Sequence, residues 1–232
     1  MAIIEKSALR SSLAGAAAAG LDAVPAGRLA ERLRREPAYR RARQVFASPA
    51  PILAQIRVNT LLDNKTLIMP SAGLKEGFFR IRPFTVPFPE LAQAVTLRGL
   101  AQYGERLRGE ALAGLAIDLM VTDALAVDEA GTLVGDGHGF FDLAVALLGA
   151  HGALGEEVAI FVVPGPGQML DERIAADPWD VQVDAAILAD QVVTFSDRPP
   201  GIPAIQWEVL PLDKVRRIDP LWKLYEKKQG IR

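Results

Sequence analysis

Two periods of hydrophobicity run along this chain of 232 residues. Residues 1–43 interleave alanine and leucine with arginine and glutamate, which predicts two helices broken around Asp22–Gly27. A short strand is expected at Arg43–Ala47, stopped by Pro49 and Pro51. Apolar residues at 52, 53, 56, 58, 61 and 62 keep helical spacing and predict a helix closing near Asn64. "KTLIMP" reads as a buried strand and "GFFRIRP" as another, and the prolines of "PFTVPFPE" mark a connection. Residues 97–115 read as mostly helical, weakened by Gly104 and Gly109.

"AIDLMVTDALAV" then reads as a core strand running into a glycine-rich loop. A helix follows, with Phe140, Leu143, Ala144, Leu147 and Leu148 on one side. Val158–Val163 in "EVAIFVVP" is the clearest strand signal, and "VQVDAAIL" and "QVVTFS" are strand-like. "PLDKVRRIDPLWKLYEKKQG" closes the chain as one or two basic helices. Strand and helix alternate without a low-complexity linker or internal repeat. The expectation is a single α/β domain over residues 1–232, its mainly parallel sheet covered by helices on both faces.

Composition narrows the chemistry. Half the residues are hydrophobic and the net charge is −2, as in an ordinary globular protein, so no basic field recommends nucleic acid as a partner. Six arginines between Arg32 and Arg43 suit a solvated helix face, with contact to RNA or an acidic partner as the alternative. The absence of cysteine excludes disulfides, thiolate nucleophiles and Cys-based metal sites, and two histidines, His138 and His151, cannot build a multi-histidine site. Any metal is expected to be a hard ion held by carboxylates and phosphates, which points to magnesium. The charged N-terminus does not read as a signal peptide, and no apolar run reaches the roughly 20 residues of a membrane span, so a cytoplasmic setting and no membrane partner are expected.

The candidate site is the stretch "GTLVGDGHGFFDLAVALLG", with glycines at 135, 137 and 139. Glycines permit positive φ and let backbone amides approach an anion, and the following helix offers unpaired N–H groups. Asp142, in that helix's first turn, suits either capping or a magnesium ion that bridges phosphate oxygens. The spacing is neither that of a P-loop nor that of a dinucleotide fold. On spacing alone, a tight turn explains the glycines as well as a phosphate cradle does.

The segment "IDLMVTDALAVDEAGTLVGDGHGFFDLAVALL" resembles the hallmark of the 5-formyltetrahydrofolate cyclo-ligase family, with Asp118, Gly131, Gly135, Gly137, Gly139 and Asp142 in register. "DPWDVQVDAAILADQVV" is similar to that family's "HDxxVD" segment through Asp180, Val183, Asp184 and Ile187. "EKSALR" is similar to its N-terminal element through Lys6 and Arg10. The likeness is nearest to the methenyltetrahydrofolate-synthase-domain-containing branch. It implies the α/β fold shared with glucosamine-phosphate isomerase and CoA-transferase-like proteins.

It also implies magnesium–ATP chemistry on a folate-like substrate: the formyl oxygen is phosphorylated, and the adjacent nitrogen attacks the activated carbon. Lys6, Arg10, Gly135, Asp136, Gly137, His138, Gly139 and Phe140 would then hold the nucleotide, Asp142 would hold magnesium, and the folate would lie near "MPSAGL", Phe78 and Phe79. The chain departs from the family pattern at Phe140–Phe141, where tyrosines are usual, at Trp179, which stands for a histidine, and in lacking the loop arginine. The alternative is a binding module for a nucleotide or phosphorylated metabolite that does not turn over.

Overall fold

The computed structural model describes residues 3–20, 26–165, 168–196 and 198–231. The break expected between the first two helices lies partly outside these described residues; Lys6–Gly20 and Ala26–Arg35 are helical on either side.

The main sheet has eight strands, in spatial order Val192–Thr194, Ala185–Ile187, Leu154–Pro164, Ile117–Ala124, Gln44–Ala47, Thr66–Pro70, Phe78–Ile81 and Glu105–Leu107. The pairs from Ala185–Ile187 through Thr66–Pro70 are parallel, and both edges are antiparallel. The architecture is therefore mixed α/β with a large, mostly parallel sheet. Chain order runs outward in opposite directions from Gln44–Ala47, so the topological switch point lies between this strand and Ile117–Ala124.

Alternation along the strands sorts the core into two layers. Phe46, Ile68, Met120, Ile160 and Val162 face the helix Phe140–Ala150 and the C-terminal helices Leu212–Arg217 and Asp219–Lys228. Val45, Leu119, Val121, Phe161 and Val163 face the opposite way, against Leu29, Leu33 and Ile56 of the helices Ala26–Arg35 and Ala54–Leu62. Both faces are covered, which is why the central strands read as continuous apolar runs. No helix among the described residues is long and apolar enough to cross a membrane.

Residues 97–115 depart from expectation. They form two short helices, Leu100–Tyr103 and Glu110–Ala113, with the edge strand Glu105–Leu107 between them. Gly104 is extended, and a Cβ there would come within 2.7 Å of the Leu100 carbonyl. Gly109 has φ +50. The two glycines that weaken the helical pattern break it, and the freed segment pairs with the open edge of Phe78–Ile81.

One half-buried network fastens the first helical layer. Arg34 donates to both carboxylate oxygens of Asp63, its Nε at 2.8 Å, and the Tyr39 hydroxyl donates at 2.8 Å. Burial opposes the charged form, but the bonds from Arg34 and Tyr39 win and hold the Asp63 carboxyl below its ordinary range. A depressed folded-state value gives stability that is complete above the unfolded value of about 3.9 and is lost as pH falls through the folded one. The melting-temperature gap between wild type and Asp63→Asn should therefore be open at neutral pH and close toward about pH 2. A gap of constant size across that range would refute the assignment.

Candidate functional site

A cavity of about 520 Å³ opens over the carboxyl ends of the central strands, at the switch point. Its floor is where Gln44–Ala47 and Ile117–Ala124 end. There the Ser48 and Thr122 hydroxyls, both buried, bond each other at 2.9 Å. Beneath the turn after Ser48 lies Arg57, 2 % exposed, which donates to the carbonyls of Ser48, Ala50 and Val95 at 2.7–2.8 Å. This guanidinium stiffens one wall of the cavity without entering it.

The glycine loop is reached differently from the sequence expectation. The strand does not run straight into it; a hairpin of Ala126–Asp128 and Leu133–Val134 intervenes. Buried Asp128 organises this hairpin by accepting from the amides of Ala130, Thr132 and Ile174 at 2.8–2.9 Å. Gly131 has φ +78, and a Cβ there would sit 2.6 Å from the Val183 carbonyl, so only glycine fits this corner. The hairpin delivers residues 135–139 to the cavity rim, directly before the helix Phe140–Ala150. Gly139 is left-handed and no side chain caps that helix, which leaves its first amides open.

The N-terminal helix closes the site from the other side. Lys6 forms a buried ion pair with Asp180, whose carboxylate also accepts from the Asp177 amide. Arg10 lies along the loop: its Nε donates to the Gly135 carbonyl at 3.0 Å, and its side chain is 3.4 Å from where a Gly137 Cβ would stand. Asp142 accepts from the Val181 amide at 3.0 Å through Oδ1. Burial pushes the Asp142 carboxyl above its ordinary range and Asp180 adds repulsion, against the opposing pull of Val181 and Lys6. Lys6, Arg10, Gly135, Asp136, Gly137, Gly139, Phe140, Asp142 and Asp180 thus share one cavity although they come from separate parts of the chain.

Other expected residues fall elsewhere. The His138 ring is exposed, stacks on Phe140 at 5.5 Å, and faces a neighbouring hollow of about 310 Å³ instead of the main cavity. Phe78 and Phe79 are core residues, 0 % and 8 % exposed, so the expected placement of a folate beside them is corrected. Of the two aspartates of the "HDxxVD"-like segment, only Asp180 lines the cavity. Asp184 accepts from the Ile160 amide at 2.7 Å and pairs with Arg198, joining two strands. Asp118 is likewise structural, accepting from the amides of Arg43 and Gln44 at 2.7 and 2.9 Å.

Sequence reasoning passed over Asp123, which stands one residue before the end of the central strand and lines the cavity. Its signal was the carboxylate that interrupts the apolar run "IDLMVTDAL". Solvent reaches Asp123, yet protein surrounds it on most sides. Burial and the nearby Asp136 push its carboxyl up, and Arg57 pulls it down.

A mostly parallel sheet with a lined cavity over its switch point defines an open α/β architecture, the class of fold in which ligands generally bind outside the carboxyl ends of the strands. Residues 3–189 match the model of the 5-formyltetrahydrofolate cyclo-ligase family, and the chain belongs to that family. It is 25% identical over 194 residues to the methenyltetrahydrofolate synthase domain-containing protein of Homo sapiens, covering 82% of this chain and 50% of that protein. For the Danio rerio protein of the same name the identity is 28% over 186 residues, covering 78% and 47%. The chain spans about half the length of the curated relatives it matches. Among solved structures, the 5,10-methenyltetrahydrofolate synthetase of Aquifex aeolicus aligns with a TM-score of 0.53 at 18% identity, covering 88% of this chain and 99% of that one. The Mycoplasma pneumoniae synthetase aligns with a TM-score of 0.52 at 14% identity, covering 78% and 97%. At these identities the structural likeness concerns the fold alone.

Proposed function

We propose that the chain acts as one α/β domain in the cytoplasm, a divergent cyclo-ligase-like enzyme that uses magnesium–ATP to activate and close a folate or related substrate. The observation that carries this reading is the convergence of Lys6, Arg10, the loop 135–139 and Asp142 on one cavity. The residues suit the groups they would hold. The loop at Gly137 and Gly139 has positive φ and leaves the amides of an eleven-residue helix uncapped for phosphate oxygens. The Asp142 carboxylate accepts from the Val181 amide through Oδ1 and from its own backbone amide, and it lines the cavity with Asp180 beside it as a second source of oxygen ligands, a donor set that suits a hard cation.

Phosphoryl transfer needs positioning and positive charge more than a side-chain nucleophile, and magnesium, when held here, supplies charge neutralisation. Arg10 adds a fixed cation beside the loop. Lys6, tied to Asp180, anchors the N-terminal helix over the phosphates and adds charge of its own. Both rings after the loop lack hydroxyls: Phe141 packs on Phe46 at 6.2 Å and Phe140 lies against Gly73. This favours a second reading, a binding module that holds the nucleotide without turnover.

The test is absorbance-detected formation of methenyltetrahydrofolate from 5-formyltetrahydrofolate with magnesium–ATP. Turnover by the wild type that is lost in a folded Asp142→Ala variant is expected. Magnesium–ATP binding without turnover would move the assignment to the binding module. Neither binding nor turnover would retire both.

A further inference from the structure

The glycine loop stands between two cavities. Gly137, Gly139, Asp142 and Trp179 line both the main cavity and the neighbouring hollow of about 310 Å³, so the loop is the wall between them. A wall with glycines at positive φ, as at 137 and 139, has little stiffness of its own. Among the described residues, only two side chains from elsewhere in the chain bond its backbone. Arg10 does so from the N-terminal helix, at the Gly135 carbonyl. Lys214 does so from the side of the hollow, where its Nζ donates to the His138 carbonyl at 2.9 Å.

Lys214 belongs to the helix Leu212–Arg217, beyond residue 189 and so outside the stretch that matches the family model. Its base is firm. Val215 and Ile218 are buried in the core layer of the helix Phe140–Ala150. Asp219 fixes the next turn: its amide donates to the Lys75 carbonyl at 3.0 Å, and its carboxylate accepts from Arg106 at 3.0 Å. The Lys214 ammonium also lies 5.5 Å from the centre of the Phe140 ring, a favourable place for a cation.

What the contact does follows from the peptide plane. In a trans peptide the C=O and the N–H point opposite ways, and all the described bonds are trans. Holding the His138 carbonyl toward Lys214 therefore turns the Gly139 N–H away from it. That N–H has no acceptor among the described residues, and Gly139 lines the main cavity. Lys214 does not line the main cavity, so it acts there only through the loop. We infer that Lys214 is a positioning residue for the glycine loop: by holding the His138 carbonyl it sets the direction of the Gly139 amide, which makes the C-terminal segment part of the phosphate site. This rests on the reading of the loop as a phosphate cradle, and not on turnover.

The experiment compares the wild type with Lys214→Met, Lys214→Arg and Arg216→Met. Arg216 shares the helix and the charge but lies over the Trp222 ring and lines neither cavity, so it reports the loss of charge alone. Without ligand, the amide NMR signals of Gly137 and Gly139 should shift or broaden in Lys214→Met and stay as in the wild type in Arg216→Met. By titration calorimetry, affinity for magnesium–ATP and for inorganic tripolyphosphate should fall about tenfold in Lys214→Met and less than about threefold in the other two variants. The KM for magnesium–ATP should rise by the same factor of about ten, while that for 5-formyltetrahydrofolate changes less than about twofold. The melting temperature of Lys214→Met should stay within about 2 °C of the wild type, because an exposed hydrogen bond carries little stability.

Unchanged glycine signals or unchanged phosphate affinity in Lys214→Met overturns the inference. An equal loss in Arg216→Met also overturns it, by reducing the effect to net charge. Turnover with a wild-type KM for magnesium–ATP in Lys214→Met keeps the enzyme and removes the positioning role. Phosphate binding that depends on Lys214, without turnover, does the reverse. A wild type that binds neither magnesium–ATP nor tripolyphosphate overturns the inference together with the proposed function.

Discussion

Lys6→Met should cost about 3–5 kcal/mol of stability and slow methenyltetrahydrofolate formation by about 10²-fold or more. The two effects have separate causes. The side chains of Lys6 and Asp180 are only 10% and 8% exposed, so removing the ammonium leaves a carboxylate desolvated and uncompensated. That carboxylate also stands beside Asp142, whose charged form is already disfavoured by burial. The catalytic loss follows from moving the N-terminal helix, and with it Arg10, off the glycine loop. Combining Lys6→Met with Asp180→Leu separates the two. Replacing both partners with apolar groups should restore most of the stability, as measured by urea unfolding, and none of the turnover. A single variant as stable and as active as wild type would show that the pair is incidental.

Phe46→Ala is expected to cost about 3–5 kcal/mol, which for a chain of this size is a fall in melting temperature of about 6–20 °C. Phe46 is fully buried at the centre of the sheet. Its ring meets Phe78 edge-on at 6.4 Å and Phe141 at 6.2 Å, so truncation empties a space bounded by three aromatic rings. Phe141 immediately precedes Asp142 in the helix Phe140–Ala150, and the loss should therefore reach the cavity. Phe46→Leu, which keeps more of the volume, should fall clearly less. Calorimetric melting of the two variants checks this, and equal losses would mean that the site does not depend on the ring contacts.

The fold was largely legible because its strongest signals are local. Val158–Val163 and Ile117–Val121 are apolar on both faces, as strands covered on both sides must be, and the alternation with helical spacing around them leaves few other architectures. Glu105–Leu107 was not legible, since its residues suit a helix and became a strand only because Phe78–Ile81 had an edge to pair. Phe78 and Phe79 misled for a related reason. Adjacent aromatics look like a ligand platform in a sequence, but the pleat sends them into the cores on opposite sides of the sheet.

The candidate site divides the same way. Glycine spacing and the carboxylate after it are chain-local features, so Gly135–Gly139 and Asp142 were readable, and Lys6 and Arg10 were readable through the family resemblance. Which charges face one another was not. That Lys6 meets Asp180 across 174 positions, that Arg57 is spent on carbonyls, and that Asp123 lies in the cavity near Asp136 follow from how the strand ends meet. By itself the sequence determined the covered parallel sheet, the family and the glycine-rich loop ahead of a helix, because periodicity and backbone freedom are properties of neighbouring residues. Only the tertiary structure decided which carboxylates are paired, which are structural and which face the cavity, because burial and counter-charge exist only once distant segments come together.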